Sequence, residues 1–176
     1  IHPGWWGALP DGTDAGPGWR RATAAIAISR GTLTALDGTY TITSVADTSS
    51  NTGIELNGLH LAGQGCSQTF DGSTYSTVRG TAFQPGANNV VVFRLTGLHG
   101  GIRNVCIENP SGYTNVSGIR LGPVDEAQIT VRNDVEFNVV ENVGIRDIAE
   151  GITLRPGPTV AGADSYIFYN TFRSIS

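Results

Sequence analysis

The chain has 176 residues, a length suited to one domain with a substantial hydrophobic core. Glycine contributes 24 residues and charged residues only 15%, a composition typical of a protein with many tight turns. All 11 basic residues are arginines, and they are outnumbered by 15 acidic residues without forming a cluster, so nucleic acid is not expected as a partner. No apolar run approaches the roughly 20 residues that cross a bilayer, so no membrane insertion is expected.

Residues 1–50 are predicted to form an N-terminal cap. The chain opens with an irregular segment rich in proline and glycine that contains the adjacent Trp5 and Trp6. We expect these two rings to pack against the end of the structure that follows, with stacking on a sugar as the alternative.

A short helix is predicted from Pro17 to about Arg30, because proline suits the first helical position and Gly31 ends the pattern. Its apolar face is formed at i, i+3 and i+7 by Trp19, Ala22 and Ile26. A first strand follows, with Tyr40 and Ile42 on one face. A helix laid over the first coil would provide the terminal cap that repeat proteins require.

Two short phrases then recur, which is the sequence signature of a repeat architecture. The first occurs at Ile102–Val105, returns 38 residues later at Val140–Val143, and returns again 32 residues later at Phe172–Ile175. The second, Gly-Ile-x-Leu, occurs at Gly53–Leu56, Gly118–Leu121 and Gly151–Leu154. Alternate apolar residues within each phrase predict a short strand with one face turned inward.

The repeats predict an all-β protein, a right-handed single-stranded parallel β-helix with its coils in residues 51–176. Residues 110–115 and 124–127 are interpreted as loops inserted between strands that stay in register. Asn104 and Asn142 occupy matching places, and we expect them to stack at a turn of the coil, where their amides satisfy backbone groups.

The C-terminal segment Phe172–Ser176 matches the start of a strand whose earlier copies each contain one more inward residue, Ile107 and Ile145. A coil that stops there has an uncovered apolar cross-section and unpaired strand edges. We therefore expect further protein or other chains to cover this end. The chain contains no methionine, so it is expected to be part of a longer protein.

Cys66 and Cys106 leave the redox compartment undecided. Buried free thiols acting as small apolar residues are expected, with a disulfide between them as the alternative.

Several short motifs together carry a resemblance to a known family. In chain order they are Trp5–Ala8, Asp11–Asp14, Ala24–Ile26, Asp37–Ile42 and Leu59–Gly65. They resemble the N-terminal cap and first coils of the pectate-lyase-like β-helix of bacteriophage tailspikes. The resemblance implies a homotrimer in the extracellular virion tail that contacts other phage tail proteins and binds, and in the full-length protein degrades, a surface polysaccharide of the host.

Glycoside hydrolysis needs two carboxyl groups roughly 5 to 9.5 Å apart, which neighbouring coils at about 4.8 Å spacing can supply. The candidate catalytic acids in the best-defined coils are Glu141, Asp147 and Glu150. Their matching partners are not acids, and Glu141 lies in a column with Arg103 and Arg173, so an exposed charge ladder is favoured. A lyase-type site of Arg146 with Asp147 and Glu150 is the alternative.

His2, His60 and His99 lack metal-ligand spacing, so no metal is expected and they are assigned structural roles. His60 and His99 follow the same Gly-Leu dipeptide and are expected at equivalent coil positions. No motif indicates a cofactor, and no substrate-binding residue is assigned.

Three functions remain open from the sequence. The first is a phage tailspike or tail fibre that recognises host polysaccharide. The second is an extracellular polysaccharide lyase or glycoside hydrolase of similar fold. The third is a structural tail component without glycan activity.

Overall fold

The computed structural model describes residues 1–27, 29–45, 51–70, 75–122, 135–154, 167–168 and 170–176, with backbone only for 68–70, 75–79 and 168. A 3₁₀ turn spans Pro3–Trp6, and helix α1 spans Gly16–Ile26. The strands are β1 (Asp11–Asp14), β2 (Thr32–Thr34), β3 (Gly38–Ile42), β4 (Thr52–Asn57), β5 (His60–Ala62), β6 (Cys66–Phe70), β7 (Tyr75–Pro85), β8 (Val91–Thr96), β9 (Gly101–Glu108), β10 (Ser117–Leu121), β11 (Val135–Glu136), β12 (Val139–Arg146), β13 (Glu150–Leu154), β14 (Ile167–Phe168) and β15 (Thr171–Ile175). The predicted loop at 110–115 joins β9 to β10, and that at 124–127 lies outside the described residues.

Parallel pairing between successive coils builds an all-β parallel β-helix, as the repeats predict. A nine-stranded sheet includes the path β1–β3–β7–β9–β12–β15, and β5 pairs with both β2 and β9. The register aligns one inward residue of each coil in a column: Leu33, Leu61, Ile102, Val140 and Phe172. The first four of these side chains are at most 1% exposed, so the column is a continuous part of the core. The predicted stacking of Ile102, Val140 and Phe172 is confirmed.

A second sheet joins β4, β8, β10 and β13 in that order, all in parallel. The Gly-Ile-x-Leu phrases lie in β4, β10 and β13, and their isoleucines and leucines occupy the same two register positions. Strand β8 supplies the missing member with Phe93 and Leu95, both fully buried. Val92 and Phe93 replace the glycine and isoleucine of the phrase, which conceals this copy in the sequence.

The bends of the coil are formed by residues in a left-handed conformation. Asn104, Asn142 and Ser174 have φ angles of 57°, 51° and 49° and follow one another at matching positions of β9, β12 and β15. Asparagine tolerates this conformation better than most residues. Asn142 Nδ2 donates to Asn104 Oδ1 at 3.1 Å, which confirms the predicted asparagine stack.

Helix α1 covers the first coils with the predicted face, in which Trp19, Ala22 and Ile26 are buried. The Trp19 ring lies 5.3 Å from the rings of both Tyr40 and Phe83. The helix ends at Ile26 and not near residue 30, because the backbone N–H and the hydroxyl of Ser29 both donate to the Ile26 carbonyl and close the last turn. No described helix has the length and apolar character needed to cross a bilayer.

The two adjacent tryptophans have different environments. Trp6 is half-buried against the core, whereas the Trp5 side chain is 79% exposed. The expectation that both rings pack inward is therefore wrong for Trp5. The tight Pro3–Trp6 turn points consecutive side chains in different directions, so only one of the two can face the coils.

Cys66 and Cys106 form a disulfide with a Cα–Cα distance of 5.3 Å, so the expectation of free thiols is wrong. Cys66 begins β6, which pairs antiparallel with β7 as a hairpin inserted into the first coil. In this hairpin Cys66 of β6 pairs with Gly80 of β7. Two residues further along β7, Ala82 pairs with Cys106 of β9, so the two cysteines lie close together. The repeated phrases contain no signal of this hairpin, which is why they do not reveal the pairing.

Candidate functional site

The Glu141 carboxylate lies in a column of alternating charge. Strand register aligns it with Arg103 of the previous coil and Arg173 of the next. This follows from strand alternation, which turns Val140 inward and its neighbour Glu141 outward. The Glu141 carboxylate is 3.3 Å from the Arg173 guanidinium, and the Arg173 side chain is 58% exposed. The predicted charge ladder is confirmed.

A small cleft of about 170 Å³ lies over this column. It is lined by His60, Gly101, Ile102, Arg103, Val139, Glu141 and Arg173. Gly101 belongs here because a β-carbon would meet the backbone of Val139 in the next coil. The guanidinium groups donate hydrogen bonds, the carboxylate accepts them, and the imidazole of His60 can do either. The cleft therefore presents to solvent the mixture of donors and acceptors that binds hydroxyl and carboxyl groups.

Asp147 lies at the other end of β12 from Glu141, with φ of 55° and a side chain that is 66% exposed. Its carboxylate is 3.4 Å from Arg146 Nε. The same arginine donates to the Glu108 carboxylate at 2.8 Å, and Gln84 Nε2 donates to the other Glu108 oxygen at 2.9 Å. Arg146 therefore joins an exposed and a buried carboxylate, and the proposed contact of Arg146 with Asp147 is present.

Glu150 contacts a different set of residues, in the four-stranded sheet. Its carboxylate accepts a hydrogen bond from the Ser117 hydroxyl at 2.6 Å and lies 3.6 Å from Arg120. Ser117 pairs with Glu150 in the register of β10 and β13, which accounts for the contact. The three candidate acids thus belong to three separate groups of partners.

This arrangement favours binding over acid–base chemistry within the described residues. A glycosidase aims two carboxyl groups at one bond. Here each candidate acid is instead directed at an arginine of its own surroundings. Paired guanidinium and carboxylate groups fix one another's positions, and such fixed polar groups are suited to orienting a bound ligand.

Glu108 is a buried carboxylate that the sequence-based search for acids did not select. Its side chain is 5% exposed, and its partner Arg146 lies 38 residues further along the chain. That interval equals the spacing of the first repeated phrase, so the repeat contained the signal for this pair.

The histidines do not share an environment. His60 lines the cleft and pairs in register with Gly101, not with His99, so the expected equivalence of His60 and His99 is wrong. The turn before Gly101 is two residues longer than the turn before His60, which displaces His99 from the matching position. His2 caps the first turn by accepting from the Gly4 N–H. In the described part of the chain no three His, Cys, Asp or Glu side chains are grouped closely enough to hold a metal ion.

No protein-family model matches the sequence, and no curated protein is significantly similar to it. Solved structures do share its fold. The A-module of the Azotobacter vinelandii mannuronan C-5 epimerase AlgE4 superposes with a TM-score of 0.69 at 19% identity, over 99% of this chain and 50% of that one. The A-module of the epimerase AlgE6 gives a TM-score of 0.71 at 18% identity, over 99% and 43%.

A viral protein has a similar structure. ORF18 of Geobacillus virus E2 superposes with a TM-score of 0.59 at 19% identity, over 85% of this chain and 26% of that one. The present chain spans half or less of the length of each of these three proteins. At this level of identity the comparisons show a shared parallel β-helix fold.

Proposed function

We propose that this chain is the β-helical segment of a phage tailspike or tail fibre and that it binds a surface polysaccharide of the bacterial host. The observation that carries the proposal is the cleft over the Arg103–Glu141–Arg173 column. Its charged and hydrogen-bonding side chains are held in register by three successive coils. A repetitive surface of this kind suits an extended polymer.

Two further observations support the proposal. The fold is shared with two enzymes named for mannuronan, which is a polysaccharide, and with a viral protein. The Cys66–Cys106 disulfide suits an oxidising setting such as the outside of the cell. Location in the virion tail, contact with other tail proteins and a homotrimeric assembly belong to the same proposal.

The test is equilibrium binding of the chain to a panel of capsular polysaccharides and lipopolysaccharides. For the glycan that binds, Glu141→Gln and Arg173→Gln should each raise Kd by about 10- to 100-fold, because a charge-assisted hydrogen bond contributes about 1.5–3 kcal/mol. Asp147→Asn is the matched control, because asparagine tolerates the left-handed backbone at that position and the residue lies outside the cleft. Failure of every glycan to bind, or equal losses in all three variants, would contradict the proposal.

An extracellular polysaccharide lyase or hydrolase is the second candidate, and the Glu108–Arg146–Asp147 group favours it. Arg146 contacts both the buried carboxylate of Glu108 and the exposed carboxylate of Asp147. Glu108 thus fixes the position of the guanidinium, and Asp147 is an acid that a substrate can reach. Light scattering of the full-length protein separates the two candidates, because a tailspike is expected as a trimer and a secreted enzyme as a monomer. Incubation of the full-length protein with the bound glycan tests for shortened products. A structural tail component without glycan activity would bind nothing and shorten nothing.

A further inference from the structure

Two aromatic side chains are stacked on the turn that leads into the cleft. The imidazole of His99 and the ring of Phe137 have centroids 5.0 Å apart and an angle of 9° between their planes. The residues occupy matching positions, since each lies two residues before a member of the Gly101–Val139 register pair. Both are exposed, Phe137 to 44%, and the neighbouring Leu98 is exposed to 38%. The stack is therefore a repeated feature of two successive coils on the protein surface.

The backbone conformation at Phe137 is one that phenylalanine seldom adopts. His99 and Phe137 have φ angles of 59° and 56°, in the left-handed region where glycine, asparagine and histidine are common and a ring as bulky as phenylalanine is unusual. Asparagine occupies the left-handed bends at Asn104 and Asn142 in the same two coils. Backbone stability alone would favour asparagine over phenylalanine here, so the aromatic ring of Phe137 calls for another explanation.

A buried asparagine holds the turn in place. Asn138 is 1% exposed, and its side-chain oxygen accepts from the Gly100 N–H at 2.9 Å. Its amide donates to the carbonyl oxygens of Gly97 and Glu136 at 3.2 and 3.1 Å. The His99 N–H also donates to the Glu136 carbonyl at 3.1 Å. These bonds join the two coils on either side of the stack and position both rings before any ligand arrives.

The first coil has a shorter turn beside the stack. Register pairs Asn57 with Thr96 and His60 with Gly101, so residues 58–59 in the first coil correspond to residues 97–100 in the second. The first coil consequently has no residue at the position of His99. The His99 side chain is exposed beside that shorter turn.

The stack flanks the polar cleft. Gly101 and Val139 both line the cleft and follow His99 and Phe137 by only two residues. Apolar C–H groups of a sugar ring pack on aromatic surfaces, while its hydroxyl and carboxyl groups need the donors and acceptors that the cleft contains. The aromatic stack therefore suits the apolar C–H groups of a polysaccharide, and the polar cleft suits its hydroxyl and carboxyl groups.

From this placement we infer that the His99–Phe137 stack is the aromatic contact of the polysaccharide site. A sugar ring packs against the aromatic pair, and the adjoining unit of the same chain reaches the Arg103–Glu141–Arg173 column. This inference rests on the proposed function and adds the residues that would position the polymer across the coils.

The test uses the full chain and the polysaccharide identified from the panel. His99→Asn and Phe137→Asn place at each position a residue suited to the left-handed backbone. We expect each to raise Kd about tenfold, and His99→Asn to keep or raise the Tm. Leu9→Ala is the control, because it removes a 46% exposed apolar side chain of the N-terminal cap that does not line the cleft, and it should leave Kd unchanged.

Unchanged Kd in both asparagine variants, or an equal loss in Leu9→Ala, would overturn the inference. Should Phe137→Asn fail to fold, His99→Asn alone decides the question, since it retains the Asn138 hydrogen bonds. Wild-type binding separates this inference from the proposed function. If no polysaccharide binds the wild type, both fail, whereas binding that is lost in Glu141→Gln and retained in the asparagine variants overturns only the aromatic contact.

Discussion

Asp14 connects the N-terminal cap to the first coil through its side chain. Its two carboxylate oxygens accept from the backbone N–H groups of Gly16, Thr43 and Ser44 at 3.0 to 3.1 Å. Burial by itself would raise the pKa of Asp14. The hydrogen bonds from Ser44, Thr43 and Gly16 outweigh it and hold the pKa below the ordinary value of 3.8. The charged form is therefore the one that stabilises the junction between β1, α1 and β3.

A carboxyl group whose pKa is lowered by folding stabilises the protein most when it is charged. The contribution of Asp14 is complete at neutral pH, declines as the pH approaches 3.8, and is lost below the lowered value in the folded state. We expect Asp14→Asn to lower the free energy of unfolding by about 1–2 kcal/mol at pH 7 and by less at pH 3. Urea titrations at the two pH values measure this. Asp11→Asn is the control, because the Asp11 carboxylate accepts from the nearby Thr13 within the same strand and does not join the cap to β3, and an equal effect there would contradict the role of Asp14.

At the residue scale, the sequence predicted those contacts that depend on strand register. The repeat intervals of 38 and 32 residues placed Glu141 between Arg103 and Arg173, as observed. The same reasoning misplaced His99, because it assumed turns of equal length in successive coils. A repeated phrase specifies which residues face inward within a strand, but it contains no information on how many residues a turn has gained.

At the scale of single elements, helix α1 depends on one large side chain. Trp19 is fully buried against Tyr40 and Phe83, which belong to the paired strands β3 and β7 of the long sheet. Gly18 permits this close packing, because a β-carbon there would meet the backbone of Ala8. The cap is thus a packed part of the core, and its helical pattern was visible in the sequence because Trp19, Ala22 and Ile26 recur at helical spacing.

We expect Trp19→Ala to destabilise the protein by about 3–5 kcal/mol, because it removes a large ring from a closely packed site. Trp19→Phe should cost less, since it keeps an aromatic ring and removes an indole N–H that has no hydrogen-bond partner among the described residues. Thermal and urea unfolding provide the measurement. Trp5→Ala should change stability by no more than about 0.5 kcal/mol. Equal losses at Trp5 and Trp19 would show that α1 is not anchored by this packing.

The inserted hairpin of β6 and β7 shows what repeat-based prediction cannot supply. Its strands pair antiparallel with each other, unlike the parallel pairs that link the coils. The described residues contain no second copy of this hairpin, so a comparison of repeated phrases cannot identify it.

For the whole molecule, the Cys66–Cys106 disulfide closes a loop with a sequence separation of 40 residues and links the hairpin to the second coil. Cross-linking a loop of this length restricts the unfolded chain and is worth about 4 kcal/mol. We expect the Cys66→Ala/Cys106→Ala double variant to be less stable than the oxidised wild type by about that amount. Urea unfolding with and without dithiothreitol measures the difference. The double variant should be insensitive to the reductant, and a wild type equally insensitive to it would contradict the prediction.

The number of residues between the strands of the two sheets differs from coil to coil, with two at 58–59, four at 97–100 and 17 in the sequence between Leu121 and Val139, while the strands on either side keep their pairing. Residues can therefore be gained or lost along this edge without disturbing the packed interior. The surface along this edge can thus change while the scaffold of paired strands stays the same. Among related proteins we accordingly expect lengths to diverge along this edge far more than at the asparagine bends opposite.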